Sequence, residues 1–368
     1  MPSPTRFDLT LDDLAALLPG EPAYRARQVW RGLHQGREPE ELTDLPRALR
    51  TTLASALPAG LQLRRESVSD GGDTVKWLWG LADGAAVETV LMRYPHRSTV
   101  CISSQAGCAM ACSFCATGQA GFIRHLTAGE IVEQVVRAQR ANARTRASSP
   151  QRGQARGVIE EPTRSLRAIA PSKGNLREIE NVVFMGMGEP LANYAATWAS
   201  VERLHGDLGF SARHLTVSTV GVVPGILRLA GERLPVNLAV SLHAANDDLR
   251  NELVPLNRRY PLDVLMDACR AYRSVKGRRI SFEWALIDGV NDRPSDAAEL
   301  AHLARPLGAH VNLIPLNPTP GYPTRGTPAA GVRAFRDRLR TAGVNATTRT
   351  NRGTDIDAAC GQLAAARA

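Results

Sequence analysis

The chain has 368 residues, 43% of them hydrophobic and 22% charged, values that suit a folded globular protein with a sizeable core. Its formal charge of +9 favours a polyanionic partner over an acidic one, although solubility alone accounts for such an excess in many proteins. No window approaches the ~18 consecutive apolar residues of a membrane span, and Met1 to Gly20 holds no apolar signal core, so the expected location is cytoplasmic.

Residues 1–60 read as a small helical unit. Leu11, Leu14, Leu17 and Leu18 recur at helical spacing, and Tyr24, Val29, Trp30 and Leu33 do so again after Pro22. Arg25, Arg27 and Arg31 share the second helix with Trp30, either as a binding face or as a solvated face around a core aromatic. Residues 61–98 read as a short β-rich linker, with runs Leu61 to Leu63, Val75 to Leu81 and Val87 to Met92 separated by Asp-Gly turns. Between 99 and 350, strand runs alternate with helical patterns: Val100 to Ser103, Asn181 to Met185, Leu215 to Thr219, Val236 to Leu242, Ile280 to Leu286, His310 to Ile314, and a further run at Val344 to Thr348. One intervening helix, Ile131 to Arg140, is opened by a Thr127-x-x-Glu130 capping box. The alternation predicts an α/β fold on parallel strands, as an open sheet or a full or partial barrel, with chemistry at the strand C-terminal ends. Ala141 to Arg177 breaks the rhythm. Rich in arginine, with Gly, Ser and Pro, it reads as an inserted basic loop that either touches nucleic acid or is a tolerated surface insertion.

Four of six cysteines crowd between Cys101 and Cys115, while Cys269 and Cys360 stand apart. Such crowding in a chain without a secretion signal points to metal or redox chemistry rather than disulfides. Cys108, Cys112 and Cys115 follow a strand at C-x3-C-x2-C spacing. A structural zinc site asks for a closed shell of four ligands, whereas three thiolates suit a [4Fe–4S] cluster with one iron left open. That iron suits chelation by the amino and carboxylate groups of S-adenosylmethionine. Polar or glycine positions at the strand ends offer a cofactor pocket: Gly188 and Glu189, Ser218, the run Ser241-Leu242-His243, and Asn317. Each alone is more often a cap or a satisfied polar residue. Glu88 shares a strand face with Val90 and Met92, so it is either functional or a solvent-facing edge residue. Cys269, beside Leu262, Leu265 and Met266, reads as core.

Taken together, the run from Cys101 to Cys115, Met185-Gly-Met-Gly-Glu-Pro-Leu191, Val217-Ser-Thr-Val-Gly-Val-Val-Pro224 and Arg352-Gly-Thr-Asp-Ile-Asp-Ala-Ala-Cys360 resemble the radical S-adenosylmethionine methyltransferases that act on adenine C2. Their substrates are bacterial 23S ribosomal RNA and certain transfer RNAs. The resemblance spans the chain apart from the basic insertion. It implies a partial (β/α)6-type radical SAM barrel, an RNA-binding accessory role for residues 1–60, and a C-terminal segment, 351–368, carrying the methyl-accepting cysteine. It also implies two S-adenosylmethionine molecules per turnover, a reductant such as flavodoxin or ferredoxin, and a monomer. Cys108, Cys112 and Cys115 correspond to the cluster ligands, and Gly188, Glu189, Ser218, Ser241, Leu242, His243 and Asn317 to S-adenosylmethionine contacts. Cys360 corresponds to the cysteine that carries the methyl, Cys101 to the one that resolves the RNA adduct, and Glu88 to the proton acceptor. A sister activity methylates C8 of the same adenine with the same cysteines; the Arg352 to Asp357 run favours the C2 type.

Overall fold

The computed structural model describes residues 4–148, 179–317, 325–349 and 352–363. The chain opens with three short helices, α1 (Leu11–Ala16), α2 (Tyr24–His34) and α3 (Arg47–Ala56). Thr10 starts α1 by a capping box with Asp13, which satisfies otherwise orphaned amides. The apolar stripes of these helices meet around Leu14, Val29, Leu33, Leu42 and Leu53. Val132 and Val136, from a later helix, complete that core, so the unit is seated on the rest of the fold rather than tethered to it.

The segment expected to be a linker is part of the main sheet. Strands β1 (Gln62–Ser69), β2 (Thr74–Gly80) and β3 (Ala86–Tyr94) form an antiparallel meander, and β3 pairs with β4 (Arg97–Cys101) from Val90↔Cys101 to Tyr94↔Arg97. The other edge of β4 pairs in parallel with β7 (Asn181–Phe184). Between them lie a ribbon of β5 (Gln105–Gly107) and β6 (Phe122–His125), the short α4 (Ala116–Ala120), and α5 (Ala128–Ser148). From β7 the chain alternates regularly through α6 (Tyr194–Gly206), β8 (Leu215–Thr219), α7 (Val223–Gly231), β9 (Asn237–Ser241), α8 (Asp247–Leu253) and α9 (Leu262–Lys276). It continues through β10 (Ser281–Leu286), α10 (Pro294–Leu307), β11 (His310–Pro315), α11 (Ala329–Thr341) and β12 (Asn345–Thr348). The sheet order is β1-β2-β3-β4-β7-β8-β9-β10-β11-β12, parallel from β4 onward, the open α/β arrangement of a partial barrel.

The Thr127–Glu130 box forms as expected: Thr127 N–H donates to Glu130 Oε2 at 2.9 Å, and Glu130 N–H to Thr127 Oγ1 at 3.1 Å. The start of the basic insertion, however, is helical, because α5 runs on through Ala141 to Ser148. Ala-Asn-Ala-Arg-Thr-Arg-Ala contains no glycine or proline, and alanine and arginine are among the best helix formers. The rest of that insertion, 149–177, lies outside the described residues. Cys269 is fully buried on α9, in the core as expected. No helix among the described residues is long and apolar enough to cross a membrane.

Candidate active site

The C-terminal ends of the parallel strands open onto a cavity of about 150 Å³. One wall is the cysteine loop. Gly107 enters it at φ 71°, where a Cβ would fall 2.0 Å from Gly121 O, and Ala111 turns it in the left-handed region at φ 53°. Cys108 N–H donates to Gly121 O at 2.9 Å and Cys115 N–H to Cys112 O at 3.2 Å, folding the loop back on itself. Cys108, Cys112 and Cys115 all line the cavity. Burial pushes Cys108 up to about 12 and raises Cys112 and Cys115 too, with the neighbouring thiols adding to the effect on each. Three thiolates in this space therefore require a cationic partner. No three His, Cys, Asp or Glu side chains among the described residues gather tightly enough for a single metal ion. Three thiols lining one cavity are the donor set that a [4Fe–4S] cluster with one open iron would take, whereas a structural zinc asks for four ligands.

Beside the start of the loop, Gly188 (φ 101°) brings the backbone so close to Gln105 that a Cβ would sit 2.7 Å from its backbone nitrogen. This turn aims Glu189 into the cavity. Its Oε1 accepts from Leu191 N–H at 3.0 Å and its Oε2 from Val220 N–H at 2.9 Å. Burial outweighs those amides and lifts Glu189 to about 7, so a cationic ligand group would find a carboxylate short of countercharge. Ser218 from β8, Ser241 from β9 and Asn317 beyond β11 line the same space. His243 takes a left-handed backbone (φ 61°) and packs edge-on against Phe114, with ring centroids 4.6 Å apart. Its Nδ1 accepts from Ala285 N–H at 2.9 Å, and burial, with Arg250 second, depresses it to about 3. The ring is thus neutral, with its proton on Nε2.

Cys360 reaches the cavity because the C-terminal segment is fastened on both sides. Before it, Gly353 N–H donates to Asp70 Oδ2 at 3.2 Å, Ser69 Oγ to Asp355, and Lys76 Nζ to Asp357 O at 3.2 Å. Arg352 lies over the Tyr94 ring at 4.6 Å and 3.6 Å from Asp73. After it, Ala116 N–H donates to Gly361 O at 2.8 Å, and Thr117 Oγ1 to Leu363 O. Asn317 Nδ2 donates to Cys360 O at 3.3 Å. Cys101 sits at the end of β4 and lines a smaller adjoining cavity of about 30 Å³, which Cys360 also lines. Burial first, and then Cys360, push Cys101 up to about 12.

No family model matches the chain. It is 48% identical to the probable dual-specificity RNA methyltransferase RlmN of Chloroflexus aurantiacus, over 97% of this chain and 92% of that protein. It is 52% identical to the protein of the same name from Parafrankia sp., over 97% and 91% respectively. The chain belongs to the RlmN-type RNA methyltransferase family. A crystal structure of a radical SAM methyltransferase from Sphaerobacter thermophilus matches it with a TM-score of 0.87 at 48% identity, over 99% of this chain and 100% of that one.

Two of the expected positions in this RlmN-type chain lie outside both cavities. Leu242 is fully buried and acts through its backbone, its N–H donating to Glu283 O at 3.0 Å and its carbonyl accepting from Arg250 Nε at 3.1 Å. Glu88 is buried on β3, an interior strand rather than an edge, with Lys76 Nζ 2.9 Å from its Oε1. Lys76 also holds Asp357 O, so Glu88 is one link from the Cys360 segment. Two cavity residues escaped the sequence reading. Glu283, 4% exposed on β10, accepts from Asn312 Nδ2 at 2.9 Å, and its buried Oε2 has no partner among the described residues. Arg349 follows β12 and lines both cavities, beside Cys360 and Glu283.

Proposed function

We propose that the chain methylates C2 of an adenine in structured RNA by a radical route, with a [4Fe–4S] cluster on Cys108, Cys112 and Cys115 and S-adenosylmethionine in the cavity beside it. The observation that carries this reading is the place of Cys360, which lines both the thiol-walled cavity and the small cavity holding Cys101. The names of the relatives point to RNA as the acceptor. Adenine C2 lies between two ring nitrogens and is electron-poor, so direct transfer of an electrophilic methyl is a polarity mismatch. When bound, the cluster and S-adenosylmethionine would supply methyl groups and a carbon radical able to abstract hydrogen.

The chain's own residues divide the remaining work. Glu189 receives the cofactor's ammonium, and Ser218, Ser241, His243 Nε2–H and Asn317 offer polar contacts around it. Cys360 takes a methyl on sulfur; that methyl gives up a hydrogen atom and bonds through its carbon to C2, and the adduct gives up one electron to the cluster. Cys360 is released when the deprotonated Cys101 sulfur bonds to the Cys360 sulfur, the carbon–sulfur bond breaks, and its electron pair takes up a proton to leave a methyl on C2. The resulting disulfide has to be reduced by an external thiol before the next turnover. Glu88 takes the proton lost from C2 in this scheme. A small reducing protein such as flavodoxin or ferredoxin supplies electrons, the enzyme acts as a cytoplasmic monomer, and 23S ribosomal RNA and transfer RNA are its substrates.

The test combines iron and sulfide counting in anaerobically purified protein with nucleoside mass spectrometry. Wild type should carry one cluster and yield 2-methyladenine; exclusive 8-methyladenine overturns the regiochemistry. Cys101→Ala should accumulate a covalent protein–RNA complex that survives denaturation and reductant, because a thioether is not reducible, and Cys360→Ala should form none. Normal turnover by Cys101→Ala, or a complex in the absence of Cys360, refutes the assigned roles.

A further inference from the structure

Arg250, on α8, is 1% exposed and is held only by neutral acceptors. Its Nη2 donates to Val220 O at 2.6 Å and more weakly to Ser241 O at 3.5 Å, its Nε to Leu242 O at 3.1 Å, and its Nη1 to Asn257 Oδ1 at 2.6 Å. Among the described residues it makes no ion pair with a carboxylate. Asp247 is reached only through Asn257, whose Nδ2 donates to Asp247 Oδ1 at 2.8 Å. A buried cation without a counter-ion is strongly unfavourable, and folds retain one only where something offsets it.

The offset lies on the cavity side. Val220 and Ser241, whose carbonyls Arg250 grips, line the cavity together with Cys112. The cysteine loop is docked on the helix that carries Arg250: Ser113 N–H donates to Leu253 O at 3.2 Å, and Cys112 packs in one cluster with Ala244, Leu253 and Val254. A guanidinium stays charged at neutral pH even when buried, so the Cys112 side of the cavity is backed by a fixed positive charge.

We propose that Arg250 is the built-in counter-ion of the cluster, a positioning residue whose buried charge favours the more negative, reduced state and so raises the reduction potential. This rests on the reading that Cys108, Cys112 and Cys115 hold a [4Fe–4S] cluster. Net charge and burial around a cluster are among the levers that set its potential, and a buried charge is little screened by salt. Arg250 also clamps the ends of β8 and β9, so its removal alters shape as well as charge. The substitutions must separate the two.

The full chain, reconstituted anaerobically without S-adenosylmethionine, is compared as wild type, Arg250→Lys, Arg250→Gln and Asp247→Asn. Iron and sulfide are counted, and the reduced fraction is followed by electron paramagnetic resonance during a redox titration. Arg250→Lys keeps the charge and should titrate near wild type. Arg250→Gln keeps donors without charge, and at the wild-type midpoint its reduced-to-oxidised ratio should fall about tenfold, ~59 mV for a one-electron couple. Asp247→Asn removes an opposing charge at greater distance and should shift the ratio the other way, by less. A fully loaded Arg250→Gln protein with wild-type titration overturns the proposal, as does an Arg250→Lys shift as large as that of Arg250→Gln. If Arg250→Gln fails to hold iron, Asp247→Asn decides, and an unchanged or lower reduced fraction there overturns it. Wild type that binds no cluster fails at the iron count, which marks the cluster reading itself as the error.

Discussion

Replacing His243 with asparagine should remove about 2 kcal/mol of pH-dependent stability between pH 7.5 and pH 5. Burial depresses His243 to about 3, against ~6.5 in an unfolded chain. The folded state therefore binds fewer protons than the unfolded state between these values. The stabilisation is complete above about pH 6.5 and is lost as pH falls toward 3; at pH 5 the loss is about 2 kcal/mol. Asparagine tolerates the left-handed backbone at this position, and its Oδ1 can accept the Ala285 N–H that Nδ1 now holds. The lost contact with Phe114 lowers stability equally at both pH values. Glu189 has the opposite dependence, since a carboxyl raised to about 7 stabilises the fold as pH falls, but it is present in both proteins and cancels. Urea unfolding of the iron-free chain at the two pH values, wild type against His243→Asn, reads the difference directly. Parallel pH dependence in the two proteins would show that His243 is not held neutral by the fold.

Glu283→Gln removes a buried charge with one unpartnered oxygen while keeping an acceptor for Asn312, so the thermal midpoint should stay level or rise. If that oxygen receives a hydrogen bond from S-adenosylmethionine, equilibrium dialysis should show binding weakened by about 1.5–3 kcal/mol; unchanged affinity excludes such a contact. Glu130→Ala strips a buried carboxylate from the Arg124 fork and from the start of α5, and should cost about 3 kcal/mol in chemical denaturation. A loss below ~1 kcal/mol would mean that Arg124 finds full compensation in Asp83. Deleting 149–178 should flatten the dependence of RNA affinity on salt and weaken binding most at low salt, with the modified position unchanged. Methylation at a different nucleotide would show that the segment specifies rather than attracts.

The strand positions were legible because parallel strands are buried on both faces and read as short apolar runs, and because α5 announces itself with Thr127 and Glu130. The same topology made the pocket legible. Once the strands are parallel, polar residues at or just past their C-terminal ends converge, and Glu189, Ser218, Ser241, His243 and Asn317 do. Sequence order cannot say which way a backbone turns at that edge, which is why Leu242, flanked by two cavity residues, lies outside the cavity. Glu283 carried the signal already noticed at Glu88, a carboxylate inside an apolar strand. Here alternation on β10 turns Glu283 and Ala285 toward the cavity and Trp284 toward Phe335, 6.0 Å away between ring centroids. Arg349 had no such signal. The run Val344 to Thr348 was legible as a strand, but the residue after it is one arginine among many in a basic chain, and nothing in the pattern turns it toward the cavity.

The tail shows most plainly what a linear motif conceals. Read along the chain, Arg352 to Asp357 resembles a family signature, and nothing in it is a nucleophile or a ligand. In three dimensions its members are anchors. Arg352 meets Tyr94 and Asp73, the Gly353 amide meets Asp70, Asp355 meets Ser69, and the Asp357 carbonyl meets Lys76. Gly353 is required there, since a Cβ would fall 2.8 Å from both Ala358 Cβ and Thr74 Cγ2 at a φ of 62°. All five anchoring contacts are made to the β1–β3 meander. Its place in the sheet is therefore functional: it carries the surface that sets where Cys360 begins, while the Gly361 and Leu363 carbonyls, gripped by Ala116 and Thr117, set where it ends. Cys360, which lines both the thiol-walled cavity and the small cavity beside Cys101, is thus located by two distant parts of the chain. Cutting the Lys76 link should accordingly loosen the tail before Cys360 while the Ala116 and Thr117 contacts after it stay in place.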